Sequence, residues 1–158
     1  MHIQKNKNKK IVIVGDGSFA QIAFEYFNHD SPYEVTGFAV EKQFRNKDAL
    51  FHIPVIDFED IESYFPSTTH DLFIAITYLQ LNKVRERLYN EAKNKGYRLA
   101  NYISSKAFFW QNVQIGDNVF IFEDNTVQPF VKLGSNIVLW SGNHIGHHST
   151  IKNHCFVS

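Results

Sequence analysis

Apolar residues follow two different patterns along the chain, and the change comes near residue 103. Before it, short β-rich runs such as "KIVIV", "EVTGFAV" and "DLFIAI" alternate with runs of helical spacing, the second of which Gly96 can end. The apolar positions of one helix face are Phe19, Ile22, Ala23, Tyr26 and Phe27 in the first run and Leu81, Val84, Leu88 and Ala92 in the second. Strands that alternate with helices predict an α/β domain with a parallel sheet over residues 1–103.

After Lys106 the helical spacing disappears and apolar residues recur every six positions. The main lane consists of Ile115, Ile121, Val127, Leu133, Leu139, Ile145, Ile151 and Val157, and a second lane of Val113, Val119, Val131 and Ile137 lies two residues earlier. A period of six is typical of the hexapeptide repeats of a parallel β-helix, in which each repeat forms one face and one corner. The alternative, a β-sandwich, needs hairpins and a drifting register. We therefore predict an all-β parallel β-helix over residues 104–158, with the main lane pointing inward.

The main lane is short for a β-helix. Coils of about 18 residues give little more than two turns between Ile115 and Val157, and no capping segment follows Val157. We therefore expect the chain to be C-terminally truncated and to acylate poorly in this form. Outward aromatic residues, namely Phe120, Phe130 and Trp140, predict contacts between subunits.

Composition and charge fit a globular protein and argue against several classes of partner. With 44% hydrophobic and 15% aromatic residues the chain can build a core. Sixteen basic residues balance sixteen acidic ones, so no global field attracts nucleic acid or a membrane surface, although "KNKNKK" forms a local positive segment that we expect to be solvated. No apolar run approaches the roughly 20 residues that cross a bilayer, and we expect a cytoplasmic protein. The single cysteine, Cys155, argues against a disulfide framework and a cysteine-based zinc site.

A glycine loop follows the first predicted strand. In "IVIVGDGSFAQ" the strand ends at Gly15-Asp16-Gly17 and a helix begins near Ser18. Glycines allow a tight turn and close approach of the backbone, and free N–H groups at a helix start attract phosphate, which suits a diphosphate. Ala20 replaces the third glycine of the dinucleotide fingerprint, and the charge of Asp16 has to point away from such a ligand. A βαβ unit can also turn on glycine without binding anything.

Further candidate binding residues follow the next predicted strands. Glu41 lies about 25 residues beyond the glycine loop, where a dinucleotide fold places its ribose-binding acid, and this keeps a dehydrogenase as an alternative. The change to hexads leaves no second nucleotide-binding half for a nicotinamide. Thr77, Tyr78 and Asn82 follow the strand that ends at Ile76, so we expect them in the crevice where open α/β sheets bind ligands.

The chain resembles the nucleotide-sugar acyltransferases of the hexapeptide-repeat family, similar to the sialic acid and UDP-amino-sugar O- and N-acetyltransferases. The residues that carry this resemblance are the "IG-D-N" and "LGSN" hexads, the histidine-bearing coil and the N-terminal glycine loop, and it covers Lys10 to Ser158. It implies a Rossmann-like domain that binds a UDP- or dTDP-linked amino sugar. It also implies a left-handed β-helix that binds acetyl-CoA between the subunits of a homotrimer, without a metal.

The implied reaction is N-acylation of the sugar for surface glycans such as lipopolysaccharide, with O-acetylation or a non-catalytic binding or assembly module as alternatives. The candidate substrate-binding residues are Gly15, Asp16, Gly17, Ser18, Phe19, Glu41, Lys42, Thr77, Tyr78 and Asn82. The resemblance would place Glu41 and Lys42 near the base and ribose, although a surface charge pair explains them equally well. The family also has a basic residue that we match to Arg85, which could equally lie on a solvated helix face.

The stretch "NHIGHHSTIKNH" supplies the candidate catalytic residues, His147 and His148. Because Ile145 points inward, both histidines fall at the corner that follows. In the resembled family a histidine at this corner is the general base that takes a proton from the sugar amine, and the matching residue is His147. An ordinary imidazole, with a pKa of about 6.5, suits that task.

The chain departs from the resembled family at two positions near this histidine. His148 stands where the family has an acid directly after the base, and Trp140 stands where several members have an asparagine. We expect Glu123 or Asp124, one coil earlier, to orient His147, unless His147 works without such a partner. A zinc site is an alternative, although a six-residue period sends His144 and His147 to different faces. The histidines of this stretch could also be corner residues without a role.

Overall fold

A computed structural model of the chain describes residues 6–158, so only the first residue of the predicted positive segment, Lys5, lies outside the described part. The N-terminal half contains one five-stranded sheet with the strand order β3-β4-β2-β1-β5. The strands are β1 (Lys9–Val14), β2 (Tyr33–Val40), β3 (Ala49–Leu50), β4 (Ile53–Asp57) and β5 (His70–Ile74). The helices are α1 (Ser18–Asp30), α2 (Ile61–Tyr64), which follows a 3-10 turn at Phe58–Asp60, and α3 (Lys83–Asn94).

The predicted parallel sheet is confirmed, because β1 pairs in parallel with β2 and β5, and β2 with β4. Both faces of β1 are buried. Ile11 and Ile13 belong to the apolar cluster beneath α1, whereas Val12 and Val14 belong to the cluster beneath α2 and α3. Alternate residues of β1 are therefore buried on opposite faces of the sheet, and this explains why the strand is a continuous apolar run in the sequence.

Two features of this half differ from the sequence prediction. β3 and β4 were not predicted, because β3 is a two-residue antiparallel edge strand that carries little pattern and only one of the five residues of β4 is buried. Leu81 does not lie on the face of α3: it precedes the helix, has a φ of 55° and is 90% exposed. Gly96 has a φ of 83° just beyond the end of α3, as expected of a glycine that ends a helix.

The C-terminal half is a three-faced parallel β-helix built from two-residue strands. Face one contains β6 (Tyr102–Ile103), β9 (Phe120–Ile121), β12 (Val138–Leu139) and β15 (Phe156–Val157). Face two contains β7 (Phe108–Phe109), β10 (Thr126–Val127) and β13 (His144–Ile145), and face three contains β8 (Gln114–Ile115), β11 (Lys132–Leu133) and β14 (Thr150–Ile151). Partners are 18 residues apart throughout, and all pairs are parallel, which excludes the sandwich alternative.

The inward orientation of the main lane is confirmed by a shared apolar cluster that includes Ile121, Val127, Leu133 and Leu139. The lane also extends further toward the N-terminus than predicted, because Ile103 and Phe109 pack against the same cluster. The β-helix therefore begins at Tyr102, and the estimate of little more than two coils was too low.

Each coil turns at corner residues with left-handed backbone geometry. Positive φ angles recur every six residues at Asn118, Asp124, Phe130, Asn136, Gly142, His148 and His154. Glycine, asparagine, aspartate and histidine tolerate this conformation better than most residues. The corners therefore explain part of the histidine content of the last coil.

The two halves share one core, because face one packs against α1. Phe120 was predicted to point outward into a subunit interface, but it is fully buried within the chain. Its ring contacts those of Phe19, Phe27 and Tyr102. Within residues 6–158 no helix has the length and apolarity required to cross a membrane.

Candidate functional site

A crevice opens where the strand order of the sheet reverses. After β1 the chain moves through α1 to β2 on one side, and β5 later pairs on the other side of β1. Ligands of open α/β sheets bind beyond the carboxyl ends of the strands at such a point. The glycine loop after β1 and the segment after β5 flank this crevice, as the sequence predicted.

Gly15 is held tightly at the base of the crevice. Its N–H donates to the Ala39 carbonyl at 2.8 Å and its φ is 119°. A Cβ atom here would lie 2.9 Å from the Ala75 carbonyl oxygen. Gly17 differs, because it has a φ of −78° and no atom lies within 4 Å of an added Cβ.

We expect Gly15→Ala to destabilise the protein by about 1–3 kcal/mol, because the left-handed backbone and the close Ala75 carbonyl both oppose a side chain. Gly17→Ala is the matched control and should change the free energy of unfolding by less than about 1 kcal/mol. Urea unfolding of the two variants measures the difference. Equal stabilities would contradict this account of Gly15.

A cleft of about 570 Å³ lies between α1, the segment after β5 and the β-helix. The residues that line it are Ser18, Phe19, Ile22, Thr77, Tyr78, Trp140, Phe156 and Ser158. Four of the predicted binding residues, Ser18, Phe19, Thr77 and Tyr78, therefore meet in one place. Phe19 is almost fully buried and forms the floor rather than a rim.

Aromatic residues that the sequence did not assign to this cleft form its wall on the β-helix side. The ring of Trp140 lies 4.4 Å from that of Phe122 and 6.0 Å from that of Phe156. Tyr78 meets Phe156 edge-on at 5.3 Å. Trp140 departs from the resembled family in the sequence, but the sequence contains no motif that places it in this wall. The wall depends on how face one docks against α1.

Charged residues near the glycine loop neutralise one another. Asp16 pairs with Lys47 at 3.2 Å, and this ion pair neutralises the negative charge that Asp16 brings to the glycine loop. Glu41 is bound by Arg87 at 3.0 Å, and the backbone N–H of Lys42 donates to Glu59 at 3.0 Å. Glu41 and Lys42 do not line the cleft, and their contacts match those of a surface charge network.

Asn82, a predicted binding residue, and Arg85, the residue matched to the family's basic residue, join the halves of the molecule. The Asn82 side chain donates to the His154 carbonyl at 2.8 Å. Arg85 does not lie on a solvated helix face, because it is 1% exposed. Its guanidinium donates to the carbonyls of Ile74, Ile76 and Asn118 at 2.7, 3.0 and 3.1 Å. Burial lowers the pKa of Arg85 to about 9, so the group stays charged at neutral pH.

His147 and His148 lie together at the corner between faces two and three, as predicted, and both are exposed. Their Nδ1 atoms are 3.0 Å apart, and the His147 backbone N–H donates to Gln128 Oε1 at 2.9 Å. No hydrogen bond to His147 Nε2 occurs among the described residues. This nitrogen is therefore open to a substrate.

Glu123 does not orient His147. It lies at the corner between faces one and two, where it accepts hydrogen bonds from Tyr26 and Ser141, both at 2.6 Å. These two bonds lower the pKa of Glu123, and burial together with Glu123 raises the pKa of Tyr26 to about 12. Asp124 occupies the left-handed position of that same corner. The predicted contact between these carboxylates and His147 does not form, because each residue of a coil stacks on the residue 18 positions earlier. For His147 that residue is Pro129.

Across residues 6–158 no group of three histidine, cysteine, aspartate or glutamate side chains is arranged to hold a metal ion. His154, one of the four histidines considered for zinc, bonds Asn136 through Nδ1 at 2.8 Å at another corner. The cleft and His147 also lie at different corners of the β-helix, so the fold of one chain does not bring them together.

Several solved structures share this fold, among them the following three. The acetyltransferase domain of PglB from Neisseria gonorrhoeae FA1090 is 17% identical with a TM-score of 0.81, and the match covers 94% of this chain and 70% of that one. A mutant of perosamine N-acetyltransferase from Caulobacter crescentus, in complex with CoA and GDP-perosamine, is 21% identical with a TM-score of 0.79 over 93% and 67% of the two chains. The PglB domain in complex with acetyl coenzyme A is 17% identical with a TM-score of 0.63 over 94% and 67%.

Comparison with curated protein sequences gave no match. A family model does match, and it spans the parallel sheet with its three helices, the glycine loop and the segment after β5. The model is that of the PglD N-terminal domain, and it covers residues 10–92, more than half of the chain. The chain therefore belongs to the PglD N-terminal domain family.

Proposed function

We propose that this protein is an acyltransferase that uses acetyl-CoA to N-acetylate a nucleotide-linked amino sugar. The observation that carries the proposal is the cleft at the start of α1. The β-helix forms one wall of this cleft and also carries His147, whose Nε2 has no hydrogen-bond partner among the described residues. The fold comparisons support it, because one structure of this architecture holds CoA and GDP-perosamine and another holds acetyl coenzyme A. The proposal includes a Rossmann-like N-terminal domain, a left-handed β-helix, a cytoplasmic location and a role in surface glycan synthesis.

The cleft offers different chemistry at its two ends. Gly17 and Ser18 begin α1, whose first turn contains no acidic residue, so the free N–H groups there suit a diphosphate. Thr77 can donate to a phosphate or a sugar hydroxyl. Trp140, Phe156 and Tyr78 form an apolar wall that suits the sugar ring. A UDP- or dTDP-linked amino sugar is the proposed substrate.

His147 is the proposed general base. Its free Nε2 takes a proton from the sugar amine as the nitrogen attacks the thioester carbonyl of acetyl-CoA. A carbon–nitrogen bond forms, the carbon–sulfur bond breaks, and the proton passes from His147 to the departing thiolate to give CoA thiol. The same site with a sugar hydroxyl as nucleophile would give O-acetylation.

The reaction requires a second copy of the chain, because the cleft and His147 lie at different corners of the β-helix. Face two lies between these corners and exposes Phe108 and Trp110, and Phe130 and Trp140 flank it. Apolar side chains grouped in this way are typical of a subunit interface. A cyclic homotrimer that packs through face two would bring His147 of one subunit toward the cleft of the next.

We expect Phe108→Asp to convert the trimer to monomers, because it places a charge in the apolar face. Phe44→Asp is the matched control: Phe44 is 62% exposed, comparable to 51% for Phe108, but it follows β2 of the N-terminal sheet and belongs to no face of the β-helix. Light scattering after gel filtration gives the masses. A monomeric wild type, or a trimer that survives Phe108→Asp, would refute this interface.

Thiol release tests the function directly. Acetyl-CoA is incubated with the protein and with UDP-, dTDP- and GDP-linked amino sugars, and the products are identified by mass spectrometry. We expect thiol release that depends on one class of amino sugar. Because one chain forms the cleft by itself, a non-catalytic binding module is the second candidate, and calorimetric binding of a nucleotide sugar without thiol release would favour it.

A further inference from the structure

His148 contacts His147 at the position where the resembled family carries an acid. The two Nδ1 atoms are 3.0 Å apart, and the rings are nearly perpendicular, at 89°. A neutral imidazole has one donor and one acceptor nitrogen. The pair therefore shares one hydrogen, with one Nδ1 as donor and the other as acceptor.

The His148 ring is held in place by the coil before it. It stacks on Phe130, which has the same corner position one coil earlier, with ring centres 4.8 Å apart and planes 26° apart. The backbone N–H of His148 donates to the Pro129 carbonyl at 3.3 Å, and His148 has a left-handed φ of 60°. These contacts fix the direction in which His148 presents Nδ1 to its neighbour.

We propose that His148 is the positioning residue for His147 and performs the role that a carboxylate has in the resembled family. In this arrangement His147 donates its Nδ1–H to His148 Nδ1, and the lone pair of His147 Nε2 points away from the corner. The inference rests on the proposed acyltransferase function for its purpose, but the hydrogen bond itself can be tested without substrate.

The direction of this hydrogen bond decides whether His147 can act as a base. With the opposite tautomer His147 Nε2 would carry a hydrogen and could not take one from the amine. Once Nε2 has taken the amine proton, His147 is a cation, and its Nδ1–H bond to neutral His148 becomes charge-assisted. His148 thus favours the state that the reaction needs, although more weakly than a carboxylate.

Nitrogen NMR of the 158-residue chain labelled in its histidines measures the tautomer. At a pH about two units above an ordinary imidazole pKa, we expect the His147 hydrogen on Nδ1. His148→Ala should shift His147 toward a mixture of tautomers, and the control His144→Ala should not, since His144 is an exposed residue of β13 and no hydrogen bond joins it to His147 among the described residues. A hydrogen on His147 Nε2 in the wild type, or an unchanged tautomer in His148→Ala, would overturn the proposal.

Kinetics separate positioning from a structural role. We expect His148→Ala to lower kcat about tenfold to a hundredfold with little change in KM for the nucleotide sugar. His148→Asp should restore most of kcat, because aspartate accepts the same hydrogen bond and tolerates the left-handed corner. Equal losses in both variants would overturn the proposal. If no variant and no wild-type form transfers an acyl group, the proposed function fails, and the tautomer measurement still decides the role of His148.

Discussion

His147→Ala should lower the turnover of the assembled protein about 10²- to 10⁴-fold, the usual contribution of a general base. Nucleotide-sugar affinity should stay nearly unchanged, because the cleft proposed to bind this substrate lies at another corner and His147 is not among its lining residues. Steady-state kinetics with both substrates in excess, together with calorimetry of the nucleotide sugar, measures the two quantities.

His29→Ala is the control for this experiment, because His29 is an exposed histidine in the last turn of α1, where it pairs with Glu25. Its turnover should stay within about twofold of wild type. A bound zinc ion would instead make His144→Ala as severe as His147→Ala and leave the activity sensitive to a chelator. Wild-type turnover in His147→Ala would end the catalytic assignment and leave these histidines as corner residues.

The elements with a strict period could be predicted from the sequence. The six-residue lane predicted the β-helix, its inward residues and the corner that carries His147, because stacked coils repeat the same environment every 18 residues. The glycine loop after the first strand could also be predicted, since a φ of 119° at Gly15 needs glycine. Both signals are local, so they can be read without knowledge of the rest of the fold.

Contacts between the two halves could not be predicted in this way. Phe120 is outward in its own coil, and it is buried because α1 covers face one. Glu123 was expected near His147, but Tyr26, 97 residues away, contacts it at another corner. Neither contact has a periodic signal, since each depends on how a helix docks on a flat face. The same docking creates the aromatic wall of the cleft.

Arg85 illustrates how strongly these contacts between the halves bear on stability. It is a fully buried cation on α3 without an acidic partner among the described residues. Three backbone carbonyls accept hydrogen bonds from its two terminal nitrogens, two at or beyond the end of β5 and one from Asn118 in the β-helix, while its Nε has no partner among the described residues. The rings of Phe19 and Phe73 lie 5.9 and 5.6 Å from the guanidinium. Arg85 therefore connects the segment that carries Thr77 to the β-helix.

We expect Arg85→Met to destabilise the protein by about 3–5 kcal/mol. Methionine fills much of the same volume but leaves the carbonyls of Ile74, Ile76 and Asn118 without a donor, and each buried unpaired group costs about 1–3 kcal/mol. Arg87→Met is the matched control, two residues along the same helix. Arg87 pairs with Glu41 and Glu91 at the surface, and losing exposed ion pairs should cost less than about 1 kcal/mol. Urea unfolding of both variants gives the comparison, and similar midpoints would show that the buried guanidinium does not hold the two halves together.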